Sequence, residues 1–257
     1  MKFGTLYLIP VTLGDDNISQ VLPPDVVKIA QNLENFVVES EKSARHFLST
    51  IKTAKPVREL TLNLLNEHTL DKDLSALLAP LLAGKDVGLM SDAGCPGIAD
   101  PGAKLVELAH SKGIRVVPFV GPSSIVLSLM ASGLNGQQFA FLGYLPVDKQ
   151  ARNLKLKEIE KRSQTHKETQ IFIETPYRNQ HMLEAILSTC NANTRLCIAC
   201  HVSLQDEMIV TKRISEWKQS TLPDLNKKPT VFLLLALTYL QLFFGLESLE
   251  ANLRSKC

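Results

Sequence analysis

One segment constrains the fold more than any other: Val87-Gly-Leu-Met-Ser91-Asp-Ala-Gly-Cys-Pro96-Gly-Ile-Ala-Asp-Pro101-Gly102. A short apolar run with strand character enters a loop rich in glycine and proline, and a helical pattern begins at Ala103. In open α/β sheets, ligands bind beyond the carboxyl ends of the strands. Gly94 and Gly97 carry no Cβ, so a ligand can approach the main chain, while Pro96 and Pro101 stiffen the loop. Strand-to-helix turns usually run about 2–6 residues, and this one is longer, which favours a binding loop over a simple turn. It contains neither the G-K-[ST] of a phosphate loop nor the G-x-G-x-x-G of a dinucleotide site.

The rest of the chain repeats the strand–helix alternation that marks an α/β protein. Strands are predicted at Thr5–Ile9, Asn35–Glu39, Val87–Met90 and Ile114–Phe119. Helices are predicted at Pro23–Asn32, Ser43–Ile51, Leu74–Leu82 and Ala103–Lys112, the last stopped by Gly113 in the left-handed position after a helix. Pro118-Phe-Val-Gly-Pro122 reads as a break between two domains, 1–118 and 119–257. Beyond it, Ser123–Ser132 reads as a helix with Ser123 as cap, Phe139–Leu145 as a strand, and Gln150–Ser163 as a basic helix. A strand at Thr169–Glu174, a helix at Asn179–Cys190, and strands at Arg195–Ser203, Glu207–Arg213 and Thr230–Leu237 complete a half suited to antiparallel pairing. Two further loops are binding candidates: Ile9-Pro-Val-Thr-Leu-Gly14, and Gly121-Pro-Ser123-Ser124 with its helix-start N–H groups and hydroxyls.

The net charge of +2 conceals a division. Residues 1–118 hold 12 basic and 14 acidic side chains, whereas residues 119–257 hold 16 and 12. That asymmetry permits a second half facing an acidic partner. Five cysteines, an odd number, and no secretory leader predict reduced thiols and a cytoplasmic protein. Val231–Leu246 is free of charge but, at 16 residues, short of the roughly 18–20 that span a bilayer. It reads as a buried strand running into an amphipathic tail, and no membrane partner is expected.

At these residues the sequence resembles the tetrapyrrole methylase superfamily, and within it the branch of small-subunit ribosomal RNA 2′-O-methyltransferase I. The loop Ser91–Gly102 carries the resemblance most specifically. In the family's order stand Gly4-Thr-Leu-Tyr-Leu8, Val117-Pro-Phe-Val-Gly-Pro-Ser-Ser124, Ala131-Ser-Gly133, Phe139-Ala-Phe-Leu-Gly-Tyr-Leu-Pro146 and Ile173-Glu-Thr-Pro-Tyr-Arg178. The resemblance spans about residues 4–237. It implies two α/β domains with a cofactor cleft between them, S-adenosylmethionine as methyl donor, and a homodimer. Carried over by position, it puts Ser91, Asp92, Ala93, Gly94 and Ile98 beside the cofactor, with Ser123 and Ser124 at the helix start and Thr175 from the second domain. Pro10 stands in the first-strand loop, where Pro10-Val-Thr-Leu-Gly-Asp15 replaces the branch's Ala-Thr-Pro-Ile-Gly-Asn.

The implied activity is methylation of RNA, at a ribose 2′-hydroxyl. Methylation of a tetrapyrrole or other small molecule, and cofactor binding without turnover, are the alternatives. A ribose hydroxyl benefits from a general base within hydrogen-bond reach. Glu174, at a strand end, is the candidate, with a structural or cofactor-orienting acid as its other reading. Two charged segments depart from the branch: Val38-Glu-Ser-Glu-Lys42 replaces Ala-Glu-Asp-Thr-Arg, and Cys200-His-Val-Ser-Leu204 replaces Arg-Glu-Leu-Thr-Lys. Asn66-Glu67 retains the branch's pair. These departures suggest a divergent paralogue.

Three patterns are set aside or held open. Cys197-Ile-Ala-Cys200-His201 spells the haem-attachment pattern, but residues three apart in a strand face opposite ways, so buried thiols are expected. No second Cys/His pair completes a zinc set, and no metal is expected. The cations of 150–167 (Arg152, Lys155, Lys157, Lys161, Arg162, Lys167) read equally as a solvated face or as a phosphate-contacting surface. Trp217, in a polar stretch, has no partner that would make a base-stacking platform.

Overall fold

A computed structural model describes residues 2–14 and 17–236. The expected amphipathic tail after Leu237 lies outside the described residues. The described residues form two compact units, divided between Ser123 and Ser124. The division falls beyond the expected 118/119 because Phe119 still pairs with the first sheet, its N–H donating to Leu8 O at 3.1 Å.

The first unit carries, in order, β1 Thr5–Leu8, α1 Ile18–Val21, α2 Pro24–Asn32, β2 Asn35–Val38, α3 Glu41–Ile51, β3 Thr61–Leu64, α4 Leu74–Leu77, α5 Ala79–Leu82, β4 Val87–Met90, α6 Gly102–Ser111 and β5 Arg115–Pro118. Its sheet is parallel throughout, in the order β3-β2-β4-β1-β5. A parallel sheet must be covered on both faces. Ile9, Phe36, Val38 and Met90 pack against α2 and α3 on one side through Ala30, Phe47 and Leu48. Leu6, Val37, Val87 and Leu89 pack on the other side against α4, α5 and α6 through Leu74, Leu81 and Leu105. Gly113, at φ +69°, makes the left-handed exit from α6.

Two expectations for this unit need correction. The helix predicted over Leu74–Leu82 is two short helices meeting at Leu78. Pro80 has no N–H to continue the bonding of the preceding turn, so the chain restarts there. Thr61–Leu64, not predicted as regular structure, is an edge strand paired only with β2.

The second unit carries α7 Ser124–Ser132, β6 Phe139–Tyr144, α8 Lys149–His166, β7 Thr169–Ile173, α9 Asn179–Thr189, β8 Arg195–Cys200, β9 Met208–Arg213, α10 Ile214–Gln219 and β10 Thr230–Leu235. Its sheet order is β6-β7-β10-β8-β9. Only β6 and β7 pair in parallel; the other pairs are antiparallel, as the second half's strand pattern implied. Phe172 and Phe232 stack at 5.7 Å between ring centroids in a core closed by Leu156 and Ile159 of α8, Leu183 and Ile186 of α9, and Trp217 of α10. On β8 the side chains alternate: Leu196, Ile198 and Cys200 enter this core, and Cys197 and Ala199 are buried on the opposite face. That opposite face meets α7, where the Thr211 hydroxyl donates to Ser132 O at 2.7 Å.

Trp217 corrects its sequence setting. Polar neighbours surround it in the chain, yet its ring is 2% exposed and its Nε1 donates to Leu196 O at 3.0 Å. Replacing it by alanine removes a large apolar group and that bond. Trp217→Ala is expected to cost about 3–5 kcal/mol of stability, read from urea denaturation followed by circular dichroism.

Candidate functional site

In the first unit, topology singles out one place. β1 and β4 are neighbours, with Leu6, Tyr7 and Leu8 opposite Val87, Gly88 and Leu89. Beyond β1 the chain turns toward the face covered by α2 and α3; beyond β4 it turns toward the face covered by α6. Adjacent parallel strands whose connections part to opposite faces leave a crevice at their carboxyl ends, where ligands bind in open α/β sheets. The loop Ser91–Gly102 forms one wall and residues 9–14 the other. They are joined where Val11 N–H donates to Gly94 O at 2.9 Å.

The conformation of the long loop is fixed by its own residues. Asp100 is the peg: its Oδ2 accepts from Gly97 N at 2.7 Å and its Oδ1 from Gly102 N at 2.6 Å. Gly94 and Gly97 take φ of +74° and +84°, and Ala99 shares that left-handed region at +61°. At Gly94 a Cβ would press on Leu13 Cδ2 and Pro122 O at 3.2 Å each, and the left-handed backbone there favours glycine. At Gly97 a Cβ would meet nothing within 4 Å: the main chain there borders open space. Ser91 Oγ donates to Ala93 O at 3.2 Å, and Cys95 Sγ lies 3.3 Å from Pro122 O, tying the loop to the chain after β5. Asp92 and Ala93 are exposed, as is Ile98 at 50%. Pro10 is buried, and its ring occupies the place a Cβ on Gly121 would take, 2.1 Å from Pro10 Cβ.

The crevice deepens into a cavity of about 170 Å³ bounded by residues 11–14, α3 and Met90–Ala93. From α3 it receives Ser43, His46, Phe47 and Thr50, none of which the sequence pattern singled out. Two contacts organise its floor. The Asp92 N–H donates to Glu39 Oε2 at 3.0 Å, and Ser43 Oγ donates to Asp92 Oδ1.

Burial pushes the Glu39 carboxyl above the usual carboxylate range. The Asp92 N–H opposes that rise, while the charges of Asp92, Asp100 and Glu67 add to it. Burial also raises Asp100, against the pull of the N–H groups of Gly102, Gly97 and Ile98.

In the second unit, Glu174 follows β7 and its side chain is 1% exposed. Its Oε1 accepts from Thr175 N and from Arg178 Nη2, both at 2.6 Å, while Oε2 meets no partner among the described residues. The carboxylate is thus committed to the turn that enters α9. Thr175 is half-buried in that turn, and Ser124 opens α7. Burial raises the Cys197 and Cys200 thiols, and His201 Nδ1 sits 2.8 Å from Asp206 Oδ2. With the two cysteines on opposite faces, they cannot hold one ligand together.

Of the basic run on α8, Lys155 and Arg162 are paired with Glu158 and Glu168. Lys157 and Lys161, one helical turn apart and both exposed, have no carboxylate partner among the described residues. Within the described residues no group of three or more His, Cys, Asp or Glu is placed to hold a metal ion. No helix there is long and apolar enough to cross a membrane.

Comparison with known proteins places these features. Residues 6–218 match the family of tetrapyrrole (corrin/porphyrin) methylases. The ribosomal RNA small subunit methyltransferase I of Vibrio cholerae is 30% identical over 238 residues, covering 91% of this chain and 77% of that protein. Its counterpart in Halalkalibacterium halodurans is 31% identical over 221 residues, covering 86% and 69%. Among solved structures, the methyltransferase CobJ superposes with a TM-score of 0.59 at 16% identity, over 92% of this chain and 95% of that one, a likeness of fold.

Two outcomes are expected from the acidic floor. A carboxyl raised in the folded state contributes most to stability below its unfolded value of 4.5, and that contribution is lost as pH rises through the folded value. Glu39→Gln therefore melts higher than the parent at pH 7–8 and level with it near pH 4, as thermal scans across that range will read. Asp100→Ala strands the N–H groups of Gly97 and Gly102 and is expected to cost about 1–3 kcal/mol in chemical denaturation.

Proposed function

The chain belongs to the tetrapyrrole methylase family, and from that premise we propose that this methyltransferase moves a methyl group from S-adenosylmethionine to RNA, at a ribose 2′-hydroxyl of ribosomal RNA. The observation that carries the reading is the pegged glycine loop at the β1/β4 crevice, in a chain whose relatives named for ribosomal RNA methylation match about nine-tenths of its length. Lys157 and Lys161, without a carboxylate partner among the described residues, support a nucleic-acid acceptor, since such cations attract phosphates. A homodimer is what the family resemblance implies, and the free cysteines favour a cytoplasmic setting; sedimentation velocity of the full chain checks the first.

The residues present suit the donor. A nucleoside with an amino-acid tail needs backbone groups for its polar ends and an apolar wall. The main chain of Ser91–Ile98 lies open at Gly97, and Ile98 presents an exposed apolar side chain. We assign Ser91, Asp92, Ala93, Gly94, Ile98 and Ser123 of the first unit to the cofactor; for Ser124 and Thr175 the same role is what the family resemblance implies. Pro10 is kept with them as the residue that shapes the crevice wall from behind, through Gly121.

Bound S-adenosylmethionine supplies a methyl carbon activated by a positively charged sulfur. The chain's own contribution is then placement and electrostatics, which can carry much of an in-line displacement. Glu174 serves in this reading as the orienting acid, its carboxylate holding Thr175 N and the Arg178 guanidinium in place.

Incubation with methyl-labelled S-adenosylmethionine and either deproteinised small-subunit ribosomal RNA or a precorrin-type tetrapyrrole tests the acceptor. Label is expected in the RNA; label in the tetrapyrrole alone overturns the reading. For the donor site, Gly94→Val forces a branched residue into the left-handed region. It is expected to weaken donor binding about tenfold or more in calorimetry. Unchanged affinity removes the loop from the site.

A further inference from the structure

We propose that Arg195 and Arg213, which face each other across β8 and β9, form a phosphate site that holds the backbone of the RNA against the second unit. That the phosphate is RNA's rests on the methyltransferase reading above, and deepens it by naming a contact for the acceptor.

The pair is an anomaly in its sheet. Residues directly opposite in an antiparallel pair keep their Cβ atoms about 4.5–5.5 Å apart, and like charges so placed are destabilising. β8 and β9 stay in register along their whole length, with Arg195 opposite Arg213. Alternation puts both on the face of Cys197 and Ala199, the one that meets α7. Thr211, two residues before Arg213, donates its hydroxyl to the carbonyl of Ser132, the last residue of α7. β9 is the margin of the sheet, so Arg213 is exposed while Arg195 is half-buried.

Nothing in the described residues answers the two charges. Neither guanidinium has a carboxylate within ion-pair distance there. Glu216, the acid nearest Arg213 in sequence, accepts from its backbone N–H at 2.8 Å instead. Arg195 Nε is buried and has no hydrogen-bond partner, so the group is committed to no acceptor of the chain. Burial holds Arg195 below the ordinary arginine pKa, and the charge of Arg213 lowers it further. The neighbouring cation is spent elsewhere: Lys212 Nζ lies 4.8 Å from the centre of the Trp217 ring.

An anion between the two side chains relieves the repulsion. Guanidinium groups present rigid forks of donors that match phosphate oxygens in pairs. One fork fixed by partial burial and one at the sheet margin make a seat for a single phosphate, open on the side of β9. An RNA backbone offers such a phosphate at every nucleotide. The surplus of basic residues also lies in this half of the chain, 16 against 12 acidic over residues 119–257.

The test has two arms, both on the full chain. In the first, inorganic phosphate replaces chloride at equal ionic strength and thermal unfolding is followed by circular dichroism. Phosphate also strengthens apolar burial in general, so parent and variant are compared. The parent is expected to rise about 2–4 °C more than Arg213→Gln. In chloride Arg213→Gln is expected to melt level with the parent or above it, because the like-charge pair is gone. Equal rises in phosphate, or a variant that melts lower in chloride, overturn the site. In the second arm, binding of deproteinised small-subunit ribosomal RNA is measured across a salt series. Arg213→Gln is expected to weaken binding and to reduce the slope of log affinity against log salt by about 0.7–0.9, the value of one phosphate contact. An unchanged slope beside a lost phosphate rise assigns the pair to free phosphate and overturns the RNA contact. A parent that responds to phosphate yet binds no RNA fails at the functional reading instead, and the RNA contact falls with it.

Discussion

Everything in the first unit depends on how two neighbouring parallel strands part company. β1 and β4 run side by side, but their continuations leave for opposite faces of the sheet, so neither chain can cover the strand ends. The gap is bridged at a single rung, Val11 to Gly94. Around that rung the loop Ser91–Gly102 must reverse direction without filling the space. It does so with left-handed residues at Gly94, Gly97 and Ala99, and with a carboxylate, Asp100, standing in for the backbone partners that a regular turn would supply. A half-buried carboxylate is a costly peg, and its proton affinity is raised accordingly. It is kept because two backbone N–H groups would otherwise have no acceptor.

Much of this was legible in the order of residues. Short apolar runs marked the strands, and the glycine-proline loop marked the crevice, because both depend on local chemistry. What stayed hidden depended on tertiary neighbours. Thr61-Leu-Asn-Leu64 is an edge strand with one partner, and four residues at a sheet margin leave almost no pattern. Leu74–Leu82 has helical periodicity, but Pro80 breaks the bonding that the periodicity promised. Trp217 has polar neighbours in sequence and apolar ones in space.

The site divided along the same line. The glycines could be read from the chain because glycine is needed wherever a backbone bends left-handed. Ser43, His46 and Thr50 could not, because on a helix they resemble any solvated face. Only the placement of α3 beside the β4 loop turns that face into the lining of a cavity. Glu174 shows another limit: its place at a strand end is legible in the chain, but that Thr175 N and Arg178 take Oε1 and leave Oε2 without a partner among the described residues is visible only in space. In the second unit the cations of α8 likewise sort themselves only in space, into those already matched to Glu158 and Glu168 and those facing outward.

The contact of Pro10 with Gly121 reaches further than the two residues. The proline ring fills the volume that any side chain at 121 would need, so the two positions share one space. A side chain at 121 would have to move the chain on which Pro122 meets Cys95, and with it the glycine loop. The first loop of the unit thus sets the footing of the third.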